Sequence, residues 1–325
     1  MTNSNQEPLV LILMGTFNGE RFIREQLDSI AAQTHKNWKL VISDDGSTDK
    51  TPEIARQWAS EVGEGRVEFR EGPRKGFAQN FLSMACDSNL KADFYAFSDQ
   101  DDIWIKEKIT AAVHLAQKHK TVISACEITQ QTSPADRLFL YCGRTAYIKD
   151  GPSIYQYSSN YKKPPSFANA IVQCLAGGNT MLFNSELKNL IGYIGVLPVA
   201  SHDWWLYQVV TGARGHIHYD RRHYVLYRQS ENSLVGENRS LGANMKRLRA
   251  ALSGTLKKNI DQNINCWEKA REYLDPANRT LLENFTKRQN GRFFERILNI
   301  KNLVIYRQSS VQTLAFYFLF IIKKI

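Results

Sequence analysis

The chain has 325 residues, 43% hydrophobic and 23% charged, as in an ordinary folded protein with room for one large domain or two smaller ones. Its five cysteines (Cys86, Cys126, Cys142, Cys174, Cys266) are scattered with no CxxC pair, which argues against a zinc site and a disulfide framework. The net charge of +10 is uneven: residues 1–235 carry 25 Lys/Arg and 25 Asp/Glu, whereas residues 236–325 carry 17 and 7.

Leu9–Met14 is a continuous apolar run, as expected of a strand covered on both faces. After a turn at Thr16-Phe17-Asn18-Gly19, Glu20–Ala32 has apolar residues at helical spacing. Leu40-Val41-Ile42 is a second buried strand ending at Asp44-Asp45. Thr48 or Asp49 then caps a helix running through Trp58, with Pro52 in its first turn. Arg66–Arg70 reads as a strand, Phe77–Ala85 as a helix, Tyr95–Ser98 as a strand and Lys106–His119 as a helix. Thr121–Ile128 reads as a fifth strand. The alternation predicts an α/β domain with a mostly parallel sheet. From Gln130 to Phe167 the pattern loosens into a Tyr-, Ser- and Pro-rich loop or subdomain. Gly177-Gly178-Asn179-Thr180 precedes an apolar run at Met181–Phe183, and Ser201-His202-Asp203-Trp204-Trp205 opens a helix to Val210. Beyond Asn238 the chain reads as helical and basic.

The most informative stretch is Phe94–Trp104, where an apolar run stops at Ser98-Asp99-Gln100-Asp101-Asp102. Three carboxylates within four residues repel one another, and a hard divalent cation offsets that repulsion. Such a cation in turn holds a diphosphate. Taken alone, the motif reads better as a solvated acidic turn. It is not alone: Thr16, Asp44-Asp45, Arg74-Lys75 and Asp99–Asp102 all fall at carboxyl ends of predicted strands. Open α/β sheets bind ligands there.

TFNGERFIREQLDSIAAQT, VISDDGSTDKT, GPRKGFAQNF, FSDQDDIW, GGNTMLFN and SHDWW occur in that order. Together they resemble family 2 glycosyltransferases of the GT-A fold, in the flavour of bacterial rhamnosyltransferase-like enzymes of polysaccharide assembly. The resemblance covers residues 7–235 and leaves 236–325 as a basic helical C-terminal region. It implies a Rossmann-like sheet flanked by helices and an inverting sugar transfer. The donor would be a UDP- or dTDP-sugar, with dTDP-rhamnose favoured. The acceptor would be a glycan or lipid-linked glycan of the cell envelope.

The resemblance also places roles. Thr16, Phe17 and Asn18 would touch the nucleotide, as would Asp44 and Asp45, with Asp45 accepting the N3–H of uracil or thymine. Arg74 and Lys75 would face the diphosphate, and Asp99 would lie near the ribose. Asp101 would ligate Mg²⁺ or Mn²⁺, with Asp99 a second candidate ligand, while Asp102 serves the loop backbone. Gly177, Gly178, Asn179, His202 and Trp204 would form the sugar-binding loops. Asp203 would be the general base. Its bland reading is a helix N-cap. Ser230 stands where related sequences often carry a histidine, leaving Arg228 or His223 to supply the charge.

Two readings compete with transfer: a nucleotide-sugar-binding protein without activity, and a nucleic-acid-binding protein using the basic tail. The tail lacks an aromatic single-strand platform and a zinc signature. The N-terminus, MTNSNQEPLV, lacks the layout of a signal peptide, which favours a cytoplasmic setting. Leu314–Ile322 is nine apolar residues followed by Lys323-Lys324. Spanning a bilayer needs ~20. The segment therefore reads as a buried terminal helix, a homodimer contact, or a shallow anchor to the inner face of the membrane.

Overall fold

The structure, a computed structural model, describes residues 7–128, 132–149, 151–229, 254–300 and 303–325. Strand β1 (Val10–Thr16) is central to one half of the sheet. It pairs in parallel with β2 (Trp38–Asp44) and β4 (Phe94–Ser98), and β2 pairs in parallel with β3 (Val67–Glu71). The apolar run of β1 serves both faces, because side chains alternate along a strand. Val10, Ile12 and Met14 join one buried cluster with Ile23, Leu27 and Ile30 of α1 (Ile23–Ala31) and Trp58 of α2 (Thr51–Val62). Leu11 and Leu13 join the other, with Phe81 of α3 (Phe77–Ala85). A helix–sheet–helix sandwich follows directly from that continuous apolar pattern.

Neither Thr48 nor Asp49 is the cap of α2: Lys50 holds the N-cap position and makes no side-chain cap bond, and Asp49 acts from one residue earlier. The Asp49 carboxylate accepts from the Thr51 amide at 3.0 Å, filling a first-turn donor of α2. Strand β5 is a two-residue segment, Ile103–Trp104.

Thr121–Ile128 is not a strand. It continues α4, which runs unbroken over Lys108–Ile128. No Gly or Pro interrupts that stretch, so helix propagation meets no barrier. Val122 is solvent-exposed on it. The sheet position beside β4 is taken instead by β8 (Leu182–Asn184), which pairs antiparallel.

The Tyr- and Ser-rich stretch contains a long strand, β6 (Phe139–Ile148), and a short one, β7 (Gln156–Tyr157). β6 pairs antiparallel with β7 and β8, and in parallel with β9 (His216–Arg228). β9 also pairs antiparallel with β5. The nine-stranded sheet is therefore mixed: β3-β2-β1-β4 run parallel to one another, β6 and β9 form a second parallel pair, and the pairings of β8, β7 and β5 are antiparallel.

On the face of α3 lie α5 (Phe167–Ala170), α6 (Ser185–Ile194) and α7 (His202–Gly212). The C-terminal helices pack on the same face: Trp267 of Thr255–Lys269 lies 4.7 Å from the Trp205 ring and donates Nε1–H to Gln208 at 2.8 Å. The last helix, Ser310–Ile321, buries Phe316, Leu319 and Phe320 in this core and exposes Leu314 and Phe318. No helix among the described residues is long and apolar enough to cross a membrane.

Candidate active site

The carboxyl ends of β1, β2 and β4 open onto a cavity of about 950 Å³. The β1 loop is shaped by its neighbours. Asn18 has a positive φ of 48° and accepts from the Thr48 amide through its side-chain oxygen at 2.8 Å. Its own amide donates to Ser47 Oγ at 2.9 Å. Gln100, between the two aspartates of the β4 motif, clamps the same loop through the Phe17 backbone.

The two aspartates ending β2 divide their work. Asp44 accepts from Thr16 Oγ1 at 2.8 Å, from the Ser47 hydroxyl and amide, and from the Gly46 amide. Burial raises its carboxyl, but Ser47, Thr16 and Gly46 outweigh that and hold it below the usual carboxylate range. Asp44 is thus a loop organiser and does not line the cavity. Asp45 does, and it accepts the amides of Arg74 at 2.6 Å and Gly76 at 2.8 Å. Arg74 adopts φ 57°, a left-handed conformation costly for a residue with a Cβ, and this aims its N–H at Asp45. The Arg74 side chain is exposed at the cavity mouth.

The β4 motif sits deepest. Burial, then the charges of Asp101 and Asp203, push Asp99 up to about 7. Burial also raises Asp101, against its own backbone amide and Arg228. Asp102 is fully buried and accepts from Asn179 Nδ2 and from the Arg228 amide. It ties the loop before β8 and the end of β9 to the motif, beyond its expected service to its own loop.

Arg228 does not turn into the cavity. Its guanidinium donates to the Asp101 carbonyl at 3.0 Å, the Lys149 carbonyl at 2.7 Å and Glu25 Oε2 at 2.7 Å, over the Phe22 ring. His223 packs on the Tyr157 ring, 5.0 Å away, outside the cavity lining. Ser230 lies outside the described residues.

The opposite wall begins at α7. Ser201 is the N-cap of α7, and Asp203 stands in its first turn, accepting the Trp204 amide at 2.7 Å. The carboxylate therefore supports the helix start and still faces the cavity. His202 is stacked on Phe81 with centroids 4.0 Å apart and edge-on to Phe97 at 4.8 Å. Both its ring nitrogens are buried without a partner, and burial lowers it to about 4 against the pull of Asp203. A Cβ on Gly178 would collide with its Nε2, so the glycine is a packing requirement.

Thr16, Phe17, Asp45, Arg74, Asp99, Asp101, Gly177, Gly178, Asn179, His202 and Asp203 line this one cavity. Asn18, Asp44, Lys75 and Trp204 do not. Trp204 is a core residue whose indole donates to the Ala170 carbonyl at 2.6 Å. Sequence reasoning missed Gln100 and the tyrosines of β6 and β9. Gln100 lay inside the quoted motif, but nothing in its spacing marked a backbone clamp.

Residues 11–186 match the family model described as Glycosyl transferase family 2. The chain is 29% identical over 258 residues to dTDP-rhamnosyl transferase RfbG of Shigella flexneri, spanning 78% of this chain and 83% of that protein. It is 25% identical over 269 residues to an uncharacterized glycosyltransferase, RT0329, of Rickettsia typhi, spanning 81% and 76%. Among solved structures it is similar to S. aureus TarS 1–349 in complex with UDP-GlcNAc. That likeness has a TM-score of 0.54 at 16% identity, over 84% of this chain and 70% of that one. It is a likeness of fold, the GT-A architecture.

Proposed function

The chain belongs to glycosyl transferase family 2, and on that premise we propose that it moves a sugar from a UDP- or dTDP-sugar to a hydroxyl of a growing cell-envelope glycan, inverting the anomeric carbon. The observation that carries this reading is Asp203 sharing one cavity with Asp45, Arg74, Asp99 and Asp101. On this reading a base, a nucleotide-binding end and two carboxylate oxygen ligands would share a space of nucleotide-sugar size.

Asp203 takes the proton of the acceptor hydroxyl as its oxygen attacks the anomeric carbon. The bond from that carbon to the diphosphate breaks, and the nucleoside diphosphate departs. Direct displacement needs one base opposite the leaving group and no covalent enzyme nucleophile. Asp45 keeps lone pairs for the base N3–H while the Arg74 and Gly76 amides fix its plane. Arg74 offers its guanidinium to the phosphates.

The carboxylates fit a divalent cation. Desolvation raises both Asp99 and Asp101, the charges of Asp101 and Asp203 raise Asp99 further, and the Arg228 guanidinium is engaged with Glu25 and backbone carbonyls. No three-residue His/Cys/Asp/Glu cluster forms among the described residues. One or two carboxylates suffice when diphosphate oxygens complete the shell. Asp101, with Asp99 as second ligand, would hold Mg²⁺ or Mn²⁺, which would neutralise charge on the departing diphosphate.

The dTDP-rhamnosyl transferase relative supports dTDP-rhamnose as donor. We assign residues 7–235 to catalysis and 236–325 to peripheral attachment at the inner membrane face, supported by the basic excess and by exposed Phe294, Leu298, Leu314 and Phe318. Calorimetry against UDP, dTDP, GDP and CDP, followed by turnover of the matching donor with lipid-linked acceptor, tests the reading. Uridine or thymidine diphosphate should bind preferentially. Preferential GDP binding would mean that Asp45 does not read the base as described, and donor binding without turnover would leave a binding protein.

A further inference from the structure

The cavity has a second bank that the proton transfer and diphosphate departure do not use. Tyr147 of β6, Tyr161 after β7, and Tyr219 and Tyr227 of β9 stand along it, with Thr145 and Ser158 between them. The charged side chains lining the cavity, Asp45, Arg74, Asp99, Asp101 and Asp203, come from strand-end loops and the start of α7. The tyrosine bank adds none among the described residues. Nearby cations are turned elsewhere: Arg144 gives Nε and Nη2 to the Ser158 carbonyl, and Lys163 Nζ donates to the Arg307 carbonyl.

The bank is assembled by the chain itself. Ser158 donates its amide to the Thr145 carbonyl at 2.9 Å, and its Oγ accepts from the Thr145 amide at 3.0 Å. The Tyr219 hydroxyl donates to the Ser159 carbonyl at 3.0 Å. The Tyr161 and Tyr219 rings then lie 5.9 Å apart, tilted by 42°. Tyr147 meets Tyr227 edge-on at 6.0 Å.

Fixed aromatic faces take up the C–H face of a pyranose, and a rim of hydroxyls takes its polar edge. Arg144 and Arg307 stand behind this bank with their guanidinium groups on the Ser158 and Val172 carbonyls and are not in its lining, so an anionic ligand there would lose its hydration without a direct cation contact and would face the aspartates across the cavity. We propose that the tyrosine bank seats the acceptor as an uncharged pyranose against Tyr161 and Tyr219, and that a sugar bearing a carboxylate or phosphate is rejected there. The inference rests on the glycosyl-transfer reading above and names its acceptor class.

Saturation-transfer NMR on the full-length chain tests it without donor. The probes are methyl α-L-rhamnoside, methyl β-D-glucoside, methyl β-D-glucuronoside and glycerol 3-phosphate. The neutral glycosides should bind roughly fivefold or more tightly than the two anions. Tyr161→Leu and Tyr219→Leu should weaken the neutral glycosides roughly fivefold, whereas Tyr161→Phe, which keeps the ring, should not. Anions binding as tightly as neutral sugars, no saturation transfer to any pyranoside, or folded Leu variants binding like the parent would each overturn it. If a Leu variant does not fold, the neutral-to-anion comparison on the parent chain decides alone. Failure of the transfer reading shows separately, as no binding of UDP or dTDP by calorimetry.

Discussion

Gln100 holds the Phe17 backbone from both sides: its Oε1 accepts the Phe17 N–H at 2.9 Å and its Nε2 donates to the Phe17 carbonyl at 2.8 Å. The β4 motif thereby fixes the β1 loop that lines the same cavity. Gly19 completes the arrangement, since a Cβ there would collide with the Gln100 amide. Gln100→Ala should raise the donor KM roughly tenfold, the worth of two such bonds to a loop that must stay ordered. Because the clamp is at the surface, the melting temperature should hardly move. Gly19→Ala should do the same through the same contact, so the double variant should be no worse than either single one. Additive losses in steady-state kinetics would separate the two residues.

Asp203→Asn keeps the shape of the side chain and removes its basicity. It should lower kcat by roughly 10²–10⁴ while leaving the affinity for nucleoside diphosphate within about twofold. The bland alternative, a carboxylate serving only the Trp204 amide, predicts the reverse. Asn would still accept that amide, so turnover would survive with at most a small stability loss.

Removing divalent metal with EDTA should abolish turnover, and Mg²⁺ or Mn²⁺ should restore it. Asp101→Asn should weaken donor binding and blunt that restoration. The physical basis is that Asp99 and Asp101 line one cavity and desolvation raises both, Asp101 and Asp203 raise Asp99 further, and Arg228 is engaged with Glu25 and backbone carbonyls. Activity indifferent to EDTA would require the diphosphate charge to be met by Arg74 alone.

The parallel half of the fold was legible in the sequence because β1, β2 and β4 each carry an apolar run and, with the alternating edge strand β3 (VEFRE), are separated by helical repeats. Leu9–Met14 and Leu40–Ile42 fall within or next to β1 and β2, and Phe77–Ala85 is α3 as read. The other half was not. β6 reads FLYCGRTAYI, where Gly143, Arg144 and Thr145 break the apolar run at a register shift against β9. Thr121–Ile128 misled in the opposite direction, because β-branched residues on an exposed helix face imitate a strand. At the site, side-chain type located the cavity residues but did not separate Asp44 from Asp45. That division depends on which carboxylate the turn amides reach.

Stability should fall as pH drops from about 6.5 toward 4, in part through His202. Its imidazole is buried on Phe81 and lowered to about 4, whereas an unfolded histidine titrates near 6.5. Between those values the unfolded chain binds a proton that the folded chain refuses, so unfolding becomes easier as pH falls. The contribution is complete above the unfolded value, lost on descent to the folded one, and amounts to about 3 kcal/mol at most. His216, also lowered to about 4 by burial and by His119 and His218, acts in the same window. Comparing the parent with His202→Phe in urea melts at several pH values isolates His202. The variant should show a shallower slope, and equal slopes would remove His202 from the account.

The C-terminal helices should carry the protein to anionic membranes. The helix Phe293–Asn299 packs against Ser310–Ile321. Phe294 is 76%, Leu298 77%, Leu314 68% and Phe318 57% exposed. Beside them the chain is basic, with Arg292, Lys323 and Lys324. Each cation near an anionic surface contributes about 1 kcal/mol, and shallow burial of the apolar side chains adds to it. Cutting the chain before Ser310 would be a poor test, since Phe316, Leu319 and Phe320 belong to the core. Replacing Phe294, Leu298, Leu314 and Phe318 by serine removes the exposed surface and leaves that core intact. The parent should float with phosphatidylglycerol-containing vesicles, less at high salt, and the fourfold variant should stay behind. If the parent does not float, and sedimentation shows a dimer that the variant loses, the same side chains form a contact between two copies instead.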